Sequence, residues 1–229
     1  MAGVTPPFIP LRLPCFPLSF RLIPPKAPHH IPPDSPQGGL SFPCGLLYAC
    51  GMYPALEHRS HAIVLLLGPA ALYQAGLHHW LARQACAQGV HVIDCGNHFN
   101  AYLLARLIRR QTHLLEAALA RVQVARTFTC YQAVSQLAET PPQDAPGLIM
   151  GLLASFYDEN ISLPEGLRLL EIVQGHLHRL SQQAPLIVQA AHPPANAAAR
   201  AVYPEYLAEN ASLVLHPAAA PSVHQPNLF

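Results

Sequence analysis

The residues of this 229-residue chain whose types and spacing come nearest to a chemical site lie between Ala62 and Asn97. An apolar run, AIVLLLG (62–68), leads into a Gly68-Pro69 turn, and a helix-like segment, LYQAGLHHWLARQACAQG (72–89), follows. A second apolar run, VHVID (90–94), closes the unit on Cys95-Gly96-Asn97. Strand, glycine turn, helix and strand in that order form a frame on which α/β domains hold phosphate. Helix N-terminal N–H groups and a lysine converge at such a turn, with the spacing G-x-x-x-x-G-K-[ST]. Laid from Gly68 and Pro69, the second glycine falls on Tyr73, the lysine on Gln74 and the Ser/Thr on Ala75. The shape is present and its chemistry is absent. A neutral amide at 74 cannot counter phosphate charge, and Ala75 has no hydroxyl for magnesium. The chain's single lysine, Lys26, lies in a proline-rich lead. The rest of the chain therefore has no phosphate-binding lysine however the motif is aligned.

Other polar groups sit at the ends of apolar runs. Asp94 closes the second run, where ligands gather in parallel sheets, and Asn97 follows it. Asp158 and Glu159 come after a later run and could reach a cation; as a solvated loop they would instead charge the N-terminus of the next helix. His192 ends another run. The chain has 14 histidines, among them His29-His30, His78-His79 and the pair His176 and His178. Positions i and i+2 of a helix do not share a face, and no H-E-x-x-H or Cys/His finger spacing occurs, so no metal is expected. Six cysteines lack any C-x-x-C spacing, which fits reduced thiols and a cytoplasmic location. Residues 61–82 contain no formally charged side chain, close to a membrane-spanning length. Gly68-Pro69, Gln74 and His78-His79 within them favour a buried strand followed by a core-facing helix, with no membrane.

Half the residues are hydrophobic, only 11% are charged, and the net charge is +1. That is enough apolar material for one sizeable core and no strong field toward a polyanion. Residues 1–45 carry twelve prolines, which remove donors and fix φ. The apolar residues between them suit an extended arm that docks on its own domain or on a neighbouring subunit; a loosely ordered tail fits the composition equally. Residues 46–216 read as one α/β domain and 217–229 as a tail. Its helices run from about Ala101 to Ala120, from a Thr129/Gln132 capping box to about Ala138, and from a Ser162/Glu165 capping box through Leu180. Strand-like runs are VQVAR (122–126), LIMGLLASFY (148–157), PLIVQAAH (185–192) and ASLVLH (211–216), with a Pro/Ala-rich loop before the last. Buried strands alternating with helices predict a parallel sheet covered on both faces.

In order along the chain, these pieces resemble the RecA/RadA-like recombinase ATPase core. AIVLLLGPAALYQA (62–75) sits where that family has its Walker A strand and loop, and VIDCGNHF (92–99) where a strand end carries the catalytic glutamate. VARTFTCYQAVSQL (124–137) is similar to the "ARAF" segment and its helix, and LIMGLLASFYDEN (148–160) to the Walker B strand. PLIVQAAH (185–192) and LAENASLVLH (207–216) resemble the strands either side of the second DNA-binding loop. The resemblance implies a RecA-like fold within the P-loop NTPase superfamily. It places Gln74 and Ala75 at the Walker A lysine and Ser/Thr, Gly151 at the Walker B aspartate, Gly96 or Cys95 at the catalytic glutamate, and His192 near the γ-phosphate sensor. With those roles vacant, the expectation is a pseudo-ATPase without ATP or magnesium, acting through protein contacts in DNA recombination or repair. Its partner would be a recombinase-type ATPase or a second copy. Two alternatives stand beside it. One is a divergent nucleotide-binding ATPase with Arg83 or Arg59 in place of the lysine. The other is a nucleotide-independent single-strand DNA binder using Arg200 and Tyr203.

Overall fold

A computed structural model describes residues 62–216. The proposed arm, the segment from 46 to 61 and the tail from 217 lie outside the described residues. Six strands form one wholly parallel sheet: β1 (Ile63–Leu67), β2 (Val90–Asp94), β3 (Val122–Arg126), β4 (Gly147–Met150), β5 (Leu186–Ala190) and β6 (Leu213–Leu215). Their order across the sheet is β3-β2-β4-β5-β1-β6. The continuous apolar runs occupy the centre, where β1 and β5 are buried at every position, as strands covered on both faces must be. The edges are the more polar β3 and the short β6.

The helices are α1 (Ala70–Ala87), α2 (Ala101–Arg109), α3 (Leu115–Leu119), α4 (Cys130–Glu139), α5 (Leu163–Ser181) and α6 (Val202–Glu209). The chain moves one way along the sheet from β1 through β2 to β3, then reverses through β4 and β5 to β6. Right-handed crossovers then place α1–α3 on one face and α4–α6 on the other. Strand side chains alternate between the layers. Val64, Leu66, Val92 and Ile187 pack with Leu77, Trp80, Leu104 and Ile108. Ile63, Leu65, Ile93 and Val188 pack with Leu137, Leu170, Val173 and Leu207. This is an α/β fold compatible with a RecA-like core. Among the described residues, no helix is long and apolar enough to cross a membrane.

Both capping residues act as expected. Thr129 accepts from Gln132 N–H at 3.1 Å, and Ser162 accepts from Glu165 N–H at 3.4 Å. Three expectations need correction. The helix predicted over 101–120 is two helices, because Thr112 Oγ1 accepts from Leu114 N–H and turns the chain out between them. The strand predicted over 148–157 ends at Met150, because Gly151 takes φ +67°; Ala154–Tyr157 is a 3-10 turn. The Pro/Ala-rich stretch read as loop contains a 3-10 segment, Ala195–Arg200, and helix α6.

Candidate functional site

Reversal of the chain's direction creates crevices at the carboxyl ends of the strands. Connections leave β1 and β5 toward opposite faces, and likewise β2 and β4; such positions are where parallel sheets bind ligands. Gly68, Asp94, Gly151 and His192 all follow or end these strands.

The turn after β1 has only two residues before α1 begins at Ala70. The eight-residue spacing that sequence suggested as a phosphate loop therefore runs into the helix. Tyr73, Gln74 and Ala75 occupy its first two turns. Gly68 spends its N–H on the Ala190 carbonyl at 2.8 Å, and Pro69 has no N–H to offer. Tyr73 is buried, its hydroxyl 3.2 Å from the carbonyls of Leu67 and Leu215. Its ring thus joins the ends of β1 and β6. Gln74 donates its side-chain amide to the His98 carbonyl at 3.3 Å. Ala75 is exposed.

A residue that sequence reading passed over holds the middle of the crevice. Gln189 is 1% exposed. Its Nε2 donates to the Gly68 carbonyl at 3.0 Å, and its Oε1 accepts from Gly151 N–H at 2.9 Å. One side chain therefore satisfies the backbone just beyond β1 and just beyond β4. Its signal in the sequence is a lone amide inside the otherwise apolar LIVQA strand. Beside it, Gly96 and Gly151 meet backbone to backbone. A Cβ at Gly151 would lie 2.7 Å from Gly96 Cα, and one at Gly96 would lie 2.5 Å from His98 Nε2. Of the positions that the resemblance assigns to carboxylates, Gly151 is closed to a side chain by backbone, and Gly96 would take one only if the His98 ring moved.

Asp94 is fully committed. Its oxygens accept from His98 N–H at 2.8 Å and Phe99 N–H at 3.0 Å, and Arg126 Nε lies 3.3 Å away. These bonds fold residues 95–100 back over the strand end, with exposed Asn97 at φ +55°, a conformation Asn tolerates. His78 braces the same loop from α1. It is wholly buried, with Nδ1 2.7 Å from the Gln74 carbonyl and Nε2 accepting from Asn100 N–H at 2.9 Å. These partners assign the neutral ring with its proton on Nδ1. Burial lowers its pKa below the ordinary imidazole value. Cys95, also buried, has its thiol pushed up to about 11 by burial, so it is no nucleophile.

The remaining predicted residues gather elsewhere, around Tyr157. Asp158 is exposed and accepts from Asn160 N–H at 2.9 Å and Asn160 Nδ2 at 2.8 Å. The backbone bond, then the side-chain bond, holds its carboxyl below the usual range. Arg200 donates to the carbonyls of Tyr157 at 3.1 Å and Ile161 at 2.6 Å. Tyr203 is 0% exposed, with its ring stacked on Tyr157. Neither side chain is presented as a DNA-binding group would be. His192 is exposed and stacks on His216 at 6.4 Å. Among the described residues, no group of three His, Cys, Asp or Glu side chains could hold a metal.

No protein-family model matches the chain. Comparison with curated proteins likewise gives no match. The functional reading therefore rests on the geometry above and on the resemblance in its motifs.

Proposed function

We propose that this chain is a catalytically inactive, RecA-like α/β domain that acts through protein contacts. Its setting is accessory or regulatory work in DNA recombination or repair, with a recombinase-type ATPase or a second copy as partner. One observation carries the reading. Gln189 ties Gly68 to Gly151 across the crevice where a nucleotide's phosphates would have to sit. Around it, Gly68 N–H and the Asp94 carboxylate are already bonded. A phosphate placed there would meet these engaged groups and, among the described residues, no lysine. The recombination setting comes from the motif resemblance alone. The test is ATP turnover by the purified full chain with magnesium. The reading expects none above buffer. Turnover that disappears on changing one residue of the Gly68 turn would defeat it and favour the divergent ATPase.

A further inference from the structure

Charge is divided between the two helical layers. Residues 70–129, which supply α1, α2, α3 and edge strand β3, hold six arginines and two carboxylates. One of those carboxylates, Asp94, is buried in its own network. Residues 130–209, which supply the opposite layer, hold three arginines and eight carboxylates. The sheet lies between the layers, so one molecule cannot neutralise one with the other. On the acidic side every arginine is engaged: Arg168 with Glu165, Arg179 with the carbonyls of Leu137 and Thr140, Arg200 with those of Tyr157 and Ile161. On the basic side, Arg121 binds the Cys86 carbonyl and Arg126 binds Asp94 and the Phe99 carbonyl. Arg106, Arg109 and Arg110 are exposed and make no hydrogen bond or ion pair among the described residues.

These three arginines form a stripe with Tyr102. Positions 102, 106, 109 and 110 recur at i, i+4, i+7 and i+8, one face of a helix. Tyr102 is 92% exposed at the head of the stripe, and Leu114, just past its foot, is 70% exposed. The charge at Arg110 adds to burial in disfavouring protonation of His79 on α1. From 102 to 110 the stripe is about 12 Å long, which suits a peptide segment better than a flat layer. Its composition points to protein. Every cation among the described residues is arginine, and interfaces enrich arginine and aromatic residues while depleting lysine. The segments outside the described residues are poor in acid: residues 1–61 carry four cations and two carboxylates, and residues 217–229 carry no charged side chain.

We propose that the outer face of α2, centred on Arg106, Arg109 and Arg110 and flanked by Tyr102 and Leu114, docks an acidic, partly apolar segment of a partner protein. This deepens the protein-contact reading and rests on it. The test uses the full chain and a fluorescent peptide of about 18 residues with a repeating Glu-Glu-Leu sequence, long enough to span the stripe in a helical or extended form. Binding that weakens with salt is the expected result. The Arg106→Glu/Arg109→Glu/Arg110→Glu variant should bind roughly tenfold more weakly or worse, and Tyr102→Ala roughly threefold more weakly. Arg168→Glu, on the opposite layer, should bind within about twofold of the parent chain. All these side chains are exposed, and circular dichroism checks that each variant is folded. A peptide that does not bind, or binds the triple variant unchanged, overturns the proposal. So does tighter binding of oligothymidine of equal charge through the same arginines, which would make this a nucleic-acid surface. Self-association abolished by the triple variant would assign the stripe to a second copy instead. ATP titration of the same samples separates the two claims, because nucleotide binding would defeat the pseudo-ATPase reading without touching the peptide result.

Discussion

Gln189 is the side chain on which the candidate site turns. In water its amide would bond solvent; in the crevice it bonds two strand ends, and both would be stranded without it. Replacing it by leucine keeps the volume but leaves the Gly68 carbonyl and Gly151 N–H buried and unpaired. Each such group costs about 1–3 kcal/mol, so Gln189→Leu should lower stability by about 3 kcal/mol in a urea melt. A loss under about 0.5 kcal/mol would show that the amide is not a structural tie. His78 makes the second prediction at this scale. Its folded pKa is lowered, chiefly by burial and against the opposing effects of the Gln74 carbonyl and Asp94. The unfolded chain therefore takes up the proton first. Stability is intact above the ordinary value of 6.5 and falls as pH drops through it, by at most about 1.4 kcal/mol per unit for this group. His79, His91, His176 and His216 are lowered too, mainly by burial, and add in the same direction. Urea midpoints at pH 8 and pH 5.5 test this. The shift should shrink in His78→Gln, and an equal shift in parent and variant would remove His78 from the account.

Elements were legible where one local rule decided them. β1, β2, β3 and β5 read correctly to within a residue or two because apolar runs bounded by turns leave few options. The α4 and α5 starts were legible because their Ser/Thr caps carry a partner three residues on. Thr129→Ala should cost about 1 kcal/mol in the same urea assay, as should Ser162→Ala; no change in either would mean that tertiary packing alone sets those helix starts. What failed locally did so for tertiary or backbone reasons. Nothing in LLASFY (152–157) announces that the strand has already stopped, because the cause is the φ of Gly151. Helix α6 contains Pro204 and follows an alanine-rich stretch, so composition favoured a loop; its amphipathic face shows only when Tyr203 and Leu207 are seen in the core. The spacing from Gly68 could not show the turn length, which is set by where α1 begins.

At the scale of the whole molecule, the sheet does two things. It gathers the strand ends into a crevice of the kind that binds nucleotides, and it separates a basic layer from an acidic one. The first was legible from the alternation of apolar runs and helices. The bonds that bridge that crevice were not, since they bring together Gly68, Gly96, Gly151 and Gln189, which lie far apart in sequence. The separation of charge was visible only as scattered arginines between 83 and 126 until the crossovers assigned them to one side. Together these features describe a parallel α/β fold, compatible with a RecA-like core, whose strand-end crevice is bridged by Gln189 and whose outer helix α2 carries exposed arginines.

The central claim is that the crevice beyond β1 and β4 is closed to phosphate. Equilibrium binding of ATP and ADP to the purified chain, with and without magnesium, tests it most directly. The account predicts no saturable binding up to about millimolar nucleotide, that is, less than about 4 kcal/mol of binding free energy. Saturable, magnesium-dependent binding that is tighter than this would contradict it, because the Gly68 turn would then be holding phosphate without a lysine.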